Sequence, residues 1–275
     1  MRDARRRNRN IGTAASGHGQ DNRHVVSERW VDWDWTPFWQ DLKAPRIVER
    51  DIHGTRVSFI VEPPRDDCRY ACTVDDVCHV LKLLPKHHTR YIALVIMRQP
   101  TRRQEILRPV WGRLGYWSQI CGCEGPGIYL EARSAPEVQH WSSRLAPDDQ
   151  RELARLEEDG HTIERVKRGY QIRCTYASIR NTLLYRTVPH EVGHYVDYLT
   201  FKTPDGIAHA SSEFWDLYDA KPGKDKENFA HRYADEFRAL MKSAGNFPFR
   251  QLRDPSSIKL SGLEPEWFAN IEPDF

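Results

Sequence analysis

The stretch Val188-Pro189-His190-Glu191-Val192-Gly193-His194-Tyr195-Val196-Asp197-Tyr198 constrains this chain more than any other. Its two histidines are four residues apart, and on an α-helix such positions share a face, one turn apart. Val192, Val196 and Leu199 also recur at helical spacing and anchor a second face in a core. Gly193 costs about 1 kcal/mol in a helix interior, unless another backbone must approach it closely. The stretch reads as a packed helix with one chemically distinct face.

On that face the imidazoles of His190 and His194 reach one metal ion. Glu191 is offset around the helix, so its carboxylate reaches a metal-bound water rather than the metal. Zinc suits two imidazoles, a third protein ligand and one open position. It lowers the pKa of a bound water to about 7, and Glu191 can take that proton and pass it to a leaving amine. The expectation is one Zn2+ per chain. The bland alternative is a surface helix with two solvated histidines, since the chain holds 12 His. A surface helix needs neither Gly193 nor the valine stripe.

A second helix is expected over Lys226–Met241, where Phe229, Tyr233, Phe237, Leu240 and Met241 form an apolar stripe. Glu227 lies on its first turn. Ala230, one turn on, is small enough for two helices to cross closely. Three other residues compete with Glu227 as third ligand. Glu236 precedes Ala239 at the same spacing. His231 lies one turn after Glu227 and reads better as a group supporting a ligand or facing substrate. Asp197 shares the face of His190 and His194, where it orients a ligand, binds the metal itself or packs the helix.

His190-Glu191-x-Gly193-His194-x-Val196-Asp197, followed by Glu227-x-Phe229-Ala230, resembles the glutamate-zincin metallopeptidases. It is most like the catalytic domain of the anthrax lethal factor group. The resemblance covers residues 177–245 and is concentrated in the two motifs. It implies an α+β, zincin-like fold, with a twisted mixed β-sheet packed on the active-site helix and a second helix carrying the third ligand. It implies His190, His194 and Glu227 as ligands, Glu191 as base, and hydrolysis of peptide bonds in a protein or peptide substrate. That group places a tyrosine several residues before its ligand Glu. Tyr218 is offset from that spacing, so His231, Tyr218 and Tyr233 compete to stabilise the oxyanion.

The rest of the chain frames this core. Residues 1–24, with Arg5 to Arg9 and almost no apolar side chains, read as a disordered basic tail. Residues 25–72 hold Trp30, Trp33, Trp35, Phe38 and Trp39 at partly helical spacing, suited to docking on the domain. A hairpin with its turn near His53-Gly54 follows. The zincin-like domain is expected over 73–245. Thr73 and Asp76 form a capping box for a helix with Val77, Val80, Leu81 and Leu84 on its apolar face. Strands are expected at Tyr91–Met97, at Ile106–Trp117 with a bend near Gly112 or Gly115, and at Gly127–Ala132. Gly127–Arg133 is the candidate edge for pairing with substrate. A charged helix with an outer face, Asp148–Glu158, and a hairpin around Lys167-Arg168-Gly169 come next. Pro189 either divides a helix ending near Arg186 from the motif helix, which is the preferred reading, or kinks one long helix. Residues 202–225 are a loop around a short helix at Glu213–Tyr218, and 246–275 are a wrapping tail docked through Trp267-Phe268.

Composition removes some classes. A net charge of +2 gives no global argument for nucleic acid, and no run of about 18 apolar residues spans a membrane. No secretory signal is visible, so a cytoplasmic location with free thiols is the expectation for the six Cys. Cys68, Cys72, Cys78, Cys121 and Cys123 depart from the usual paired-thiolate spacing for a second zinc. Two rival functions stand beside the peptidase. One is a non-catalytic zinc-containing regulatory or binding module. The other is a nucleic-acid-associated protein that binds through the Arg-rich tail and tryptophan cluster.

Overall fold

The computed structural model describes residues 29–31, 34–107, 110–203 and 211–271. These fall into two compact units: the described parts of 1–41 with 100–110, and those of 42–99 with 111–275. The tail 1–24 lies outside the described residues, as does Trp33.

In the smaller unit Arg29–Val31 pairs antiparallel with Asp34–Thr36, with Trp30 opposite Trp35. A hairpin therefore replaces the helical spacing expected for the tryptophan segment. Arg102–Leu107 is a helical turn, so the strand expected from Ile106 does not begin there. Thr101 Oγ1 accepts the Gln104 N–H at 3.3 Å, and Gln104 Oε1 accepts the Thr101 N–H at 3.0 Å. That reciprocal cap starts a helix and overrides the apolar run.

The larger unit is built on a sheet. β1 (Arg46–Ile52) and β2 (Thr55–Val61) form the expected hairpin. Its turn residues His53 and Gly54 have φ of 57° and 83°, as a tight I′ turn requires. Thr73 and Asp76 cap α1 (Val74–Leu83) reciprocally, as expected. β3 (Leu94–Arg98) is buried along its whole length. β4 (Gly112–Ile120) and β5 (Cys123–Glu131) are joined by Cys121 and Gly122, both at positive φ. The strand order is β1–β2–β3–β5–β4. The central β2, β3 and β5 run parallel, and the two edge strands are antiparallel to their neighbours.

This order corrects three expectations. The expected strand at Ile106–Trp117 is β4, which starts at Gly112 and has its irregularity between Gly115 and Ser118. Gly127–Arg133 is not an edge, because β5 is enclosed between β3 and β4. The hairpin placed ahead of the main domain, within 25–72, contributes two strands to the domain's own sheet.

A second sheet of three strands, β6 (Glu137–Ser142), β7 (Thr162–Val166) and β8 (Gly169–Cys174), has the order β6–β8–β7. The β7–β8 hairpin is the expected one. β6 alternates half-buried and exposed residues along Glu-Val-Gln-His-Trp-Ser, too polar to read as a strand from sequence. Helix α2 (Pro147–Glu158) lies between β6 and β7 in the chain.

The motif helix grows from a continuous helical run. α3 (Tyr176–Thr182) passes through a π-turn, Leu183–Thr187, into α4 (Val188–Thr200). The Val188 N–H bonds to Leu183 O, five residues back. Proline lacks an N–H and clashes with the carbonyl four residues before it. The wider turn accommodates Pro189 without the break expected near Arg186. α5 (Ser212–Asp219), α6 (Gly223–Ser243) and α7 (Pro255–Leu260) follow.

Val57, Phe59 and Val61 of β2, Val95 and Met97 of β3, and Ile128 and Leu130 of β5 share one buried cluster with Val77 and Leu81 of α1. Val188, Val192 and Val196 of α4 join it. Burying each such side chain contributes about 1.5–3 kcal/mol. The C-terminal segment docks as expected: Phe268 is buried beside Tyr70, whose N–H bonds to Trp267 O at 2.8 Å. Among the described residues no helix is long and apolar enough to cross a membrane.

α4 and α6 cross at Gly193. A Cβ there would lie 3.1 Å from Ala230 Cα and 3.1 Å from Tyr233 Cβ, whereas one at Gly223, the first residue of α6, would meet nothing within 4 Å. Gly193→Ala is expected to lower stability by about 1–2 kcal/mol, because overpacking exceeds the gain in helix propensity. Gly223→Ala is expected to be neutral or slightly stabilising. Denaturant midpoints of the two variants check this, and equal midpoints would remove the close crossing as the reason for Gly193.

Candidate metal centre

Each crossing helix carries a pair of polar side chains one turn apart. α4 presents His190 and His194, and α6 presents Glu227 and His231. His190 Nε2 lies 3.3 Å from Glu227 Oε2, and His194 Nε2 lies 3.6 Å from Glu227 Oε1. The donor atoms of His190, Glu227 and His231 all lie within 4.8 Å of one another. Donors about 2.0–2.2 Å from a tetrahedral ion sit about 3.3–3.6 Å apart. The chemistry and spacing of these groups therefore fit a divalent ion. Among the described residues His190, Glu227 and His231 make the one such group, His194 falls outside it, and the cysteines make none. Cys68, Cys72, Cys78 and Cys174 are buried free thiols.

Electrostatics tie the histidines to Glu227. Burial works against a charged His190, but the hydrogen bond to Glu227 and the charges of Glu191, Glu227 and Glu152 outweigh it and raise its pKa. The same bond to His190 lowers Glu227, against burial. Burial holds His194 and His231 down at about 4, with the His190 charge adding to the effect. Imidazoles that stay neutral keep a lone pair for a metal.

Glu191 is buried on the neighbouring face. Burial pushes its carboxyl up to about 7, with Glu227 adding and His190 and Arg113 opposing. The Leu114 backbone N–H acts on this carboxylate electrostatically and lowers it. Leu114 belongs to β4, the sheet edge that replaces Gly127–Arg133 as the strand beside the centre.

The alternatives to Glu227 separate cleanly. Glu236 is exposed, nine residues and half a rotation around α6 from Glu227, so it faces away from the crossing. Asp197 accepts from Lys221 Nζ at 2.6 Å and from the Tyr218 hydroxyl at 3.1 Å. Its oxygens are thus taken by α5 and the loop after it, in place of the expected ligand-orienting role.

The expected oxyanion donors are dispersed. His231 joins the cluster. Tyr218 is fully buried, with its hydroxyl on Asp197 and 3.0 Å from the Tyr116 hydroxyl. The Tyr233 hydroxyl meets His88 Nδ1 at 2.8 Å, and its ring packs beside Gly193.

Two residues near the centre escape sequence reasoning. Tyr116, on β4, is pushed up to about 12 by burial, with the Asp197, Glu191 and Glu227 charges adding. Its signal was legible only once β4 was known to be the edge. Glu152 of α2 acts on His190 electrostatically, so this helix does not present a purely outer face. Its Arg155 pairs with Asp235 of α6 at 3.1 Å, and its Glu158 takes Arg186 and Arg238 at 3.1 and 2.6 Å. Behind them, fully buried Asp159 accepts from Arg186 Nε at 2.7 Å, Arg238 Nη2 at 3.1 Å and Thr182 Oγ1 at 3.1 Å. This network ties the π-turn and α6 to one point, and so sets the spacing of the His190–His194 and Glu227–His231 pairs.

His161 completes the support, with Nε2 on Thr182 Oγ1 at 2.9 Å and Nδ1 on Ser178 Oγ at 3.1 Å. Burial, with Arg133 adding, depresses it from 6.5 to about 4. The unfolded chain therefore protonates first. The contribution of His161 to stability is intact above about pH 6.5 and falls by about 3 kcal/mol as pH drops to about 4. The wild-type unfolding free energy is expected to decline through that window more steeply than that of His161→Gln, and parallel pH curves would contradict the assignment.

Removing Glu227 opens the centre, whereas removing Glu236 touches nothing in it. Elemental analysis of purified protein is expected to give about one metal per chain in wild type and in Glu236→Ala, and little in Glu227→Ala. Loss in Glu236→Ala alone would show that the crossing is not the centre. No protein-family model, no curated protein and no solved structure matches this chain, so the functional reading rests on this geometry.

Proposed function

We propose that this protein is a zinc-dependent metallopeptidase of zincin-like arrangement, hydrolysing peptide bonds of a protein or peptide substrate. The observation that carries the reading is the placement of Glu191. It is a buried carboxyl, raised by its burial, beside the sheet edge and adjoining a His190–His194–Glu227 donor set. A zinc ion held by those side chains supplies a Lewis acid for the scissile carbonyl and lowers the pKa of a water to about 7.

The chain's own residues do the rest. Among the described residues β4 is the edge strand of its sheet, where an extended peptide can add as a strand, which fixes the scissile bond against the crossing. Glu191 takes a proton from the attacking water as its oxygen bonds to the carbonyl carbon. It then gives the proton to the amine nitrogen as the C–N bond breaks. Burial raises this carboxyl and a bound cation would lower it, which leaves a group able both to take and to give the proton at neutral pH.

Glu191→Gln keeps the shape of the side chain and removes the base. It is expected to retain metal content while cleavage of a complex peptide pool, read by mass spectrometry, falls at least about 100-fold. Metal-loaded wild type that cleaves nothing in the pool would overturn the peptidase reading, and so would a Glu191→Gln variant that cleaves at the wild-type rate.

A further inference from the structure

An open zinc centre needs three protein donors, yet four side chains border the crossing: the donor atoms of His190, Glu227 and His231 group together, and His194 stands outside that group but 3.6 Å from Glu227. Residues i and i+4 share a helix face, so whatever turns Glu227 toward α4 turns His231 as well. The imidazoles of His190 and His231 have ring centres 4.5 Å apart, tilted by 52°. Their donor atoms and that of Glu227 lie within 4.8 Å of one another. Gly193 over Ala230 brings the helices close enough for these short side chains to meet. His194 reaches the same Glu227 from the next turn of α4.

We propose that His231 is a direct donor to the same ion as His190, His194 and Glu227, so that the resting centre is held by four side chains, two from each helix. The inference rests on the zinc reading above and adds regulation to it. Four protein donors fill a tetrahedral shell, which is the arrangement of a structural rather than a catalytic site. Water and substrate gain a position when His231 withdraws. His231 is the donor suited to leave. Glu227 is engaged by both histidines of α4. His231 is half-buried, and among the described residues it has a ring contact with His190 and electrostatic neighbours but no hydrogen bond to anchor it. The centre is thus latched by one of its own ligands, and a substrate or a competing anion opens it.

Cobalt(II) titrated into the metal-free full chain reads the coordination directly, since its visible absorption reports donor number and type. Wild type is expected to give an intense four-coordinate spectrum that azide alters only at high concentration. In His231→Gln the spectrum shifts, azide acts at low concentration and cobalt affinity falls by more than about tenfold. Loss of a residue that merely supports a ligand already costs about 10–100-fold. X-ray absorption of zinc-loaded wild type needs no variant, and three imidazoles per zinc are expected. Two imidazoles, or a cobalt spectrum and affinity unchanged in His231→Gln, overturn the latch and leave a three-donor centre standing. Wild type that binds neither cobalt nor zinc overturns the metal reading itself, and the latch with it.

Discussion

The site depends on how closely α4 and α6 approach. Glutamate and histidine side chains are short, so donors on different helices meet at 3.3–3.6 Å only if the helix axes are near. Gly193 supplies the missing Cβ and Ala230 the small partner. Everything else about the centre is a matter of keeping that crossing in place. The apolar part is done by Val188, Val192 and Val196 on one side, and by Phe237 and Met241 further along α6.

The polar part is less ordinary. Asp159 and Glu158 bind two arginines, Arg186 from the π-turn and Arg238 from α6. Buried ion pairs of this kind often contribute little net stability, because desolvation offsets their attraction. Their directionality is what serves this fold. Arg186 lies one turn before His190, and Arg238 lies within two turns of His231, so anchoring both to one carboxylate fixes the relative rotation of the His190–His194 and Glu227–His231 pairs. On the far side, Asp197, Tyr218 and Lys221 do the same for the end of α4 beyond His194. The motif helix is held at both ends by polar contacts and in its middle by packing.

Much of this was legible in the sequence wherever a local rule decides the outcome. The Thr73–Asp76 box, the His53-Gly54 turn and the stripe at Phe229, Tyr233 and Phe237 each determine their own element, and each formed where expected. Local rules misled where two of them competed. At Ile106 an apolar run lost to the Thr101–Gln104 cap. At Pro189 the expectation of a break lost to a π-turn, because the wider turn relieves the clash and keeps the helix continuous. The tyrosines show the same limit. Tyr218 and Tyr233 lie near the motif in sequence, but their hydroxyls are drawn to Asp197 and His88.

By itself the sequence determined which side chains can share a face: His190 with His194, and Glu227 with His231. Helical spacing alone settles that. It also determined that Gly193 needs a close neighbour, since nothing else offsets its cost in a helix. Only the tertiary structure decided that the neighbour is Ala230, that Glu227 rather than Glu236 faces the histidines, and that β4 rather than β5 borders Glu191. Those outcomes depend on the rotation of one helix about another and on the order of strands in a sheet. Both are set by contacts between residues far apart in the chain, and no local pattern encodes them.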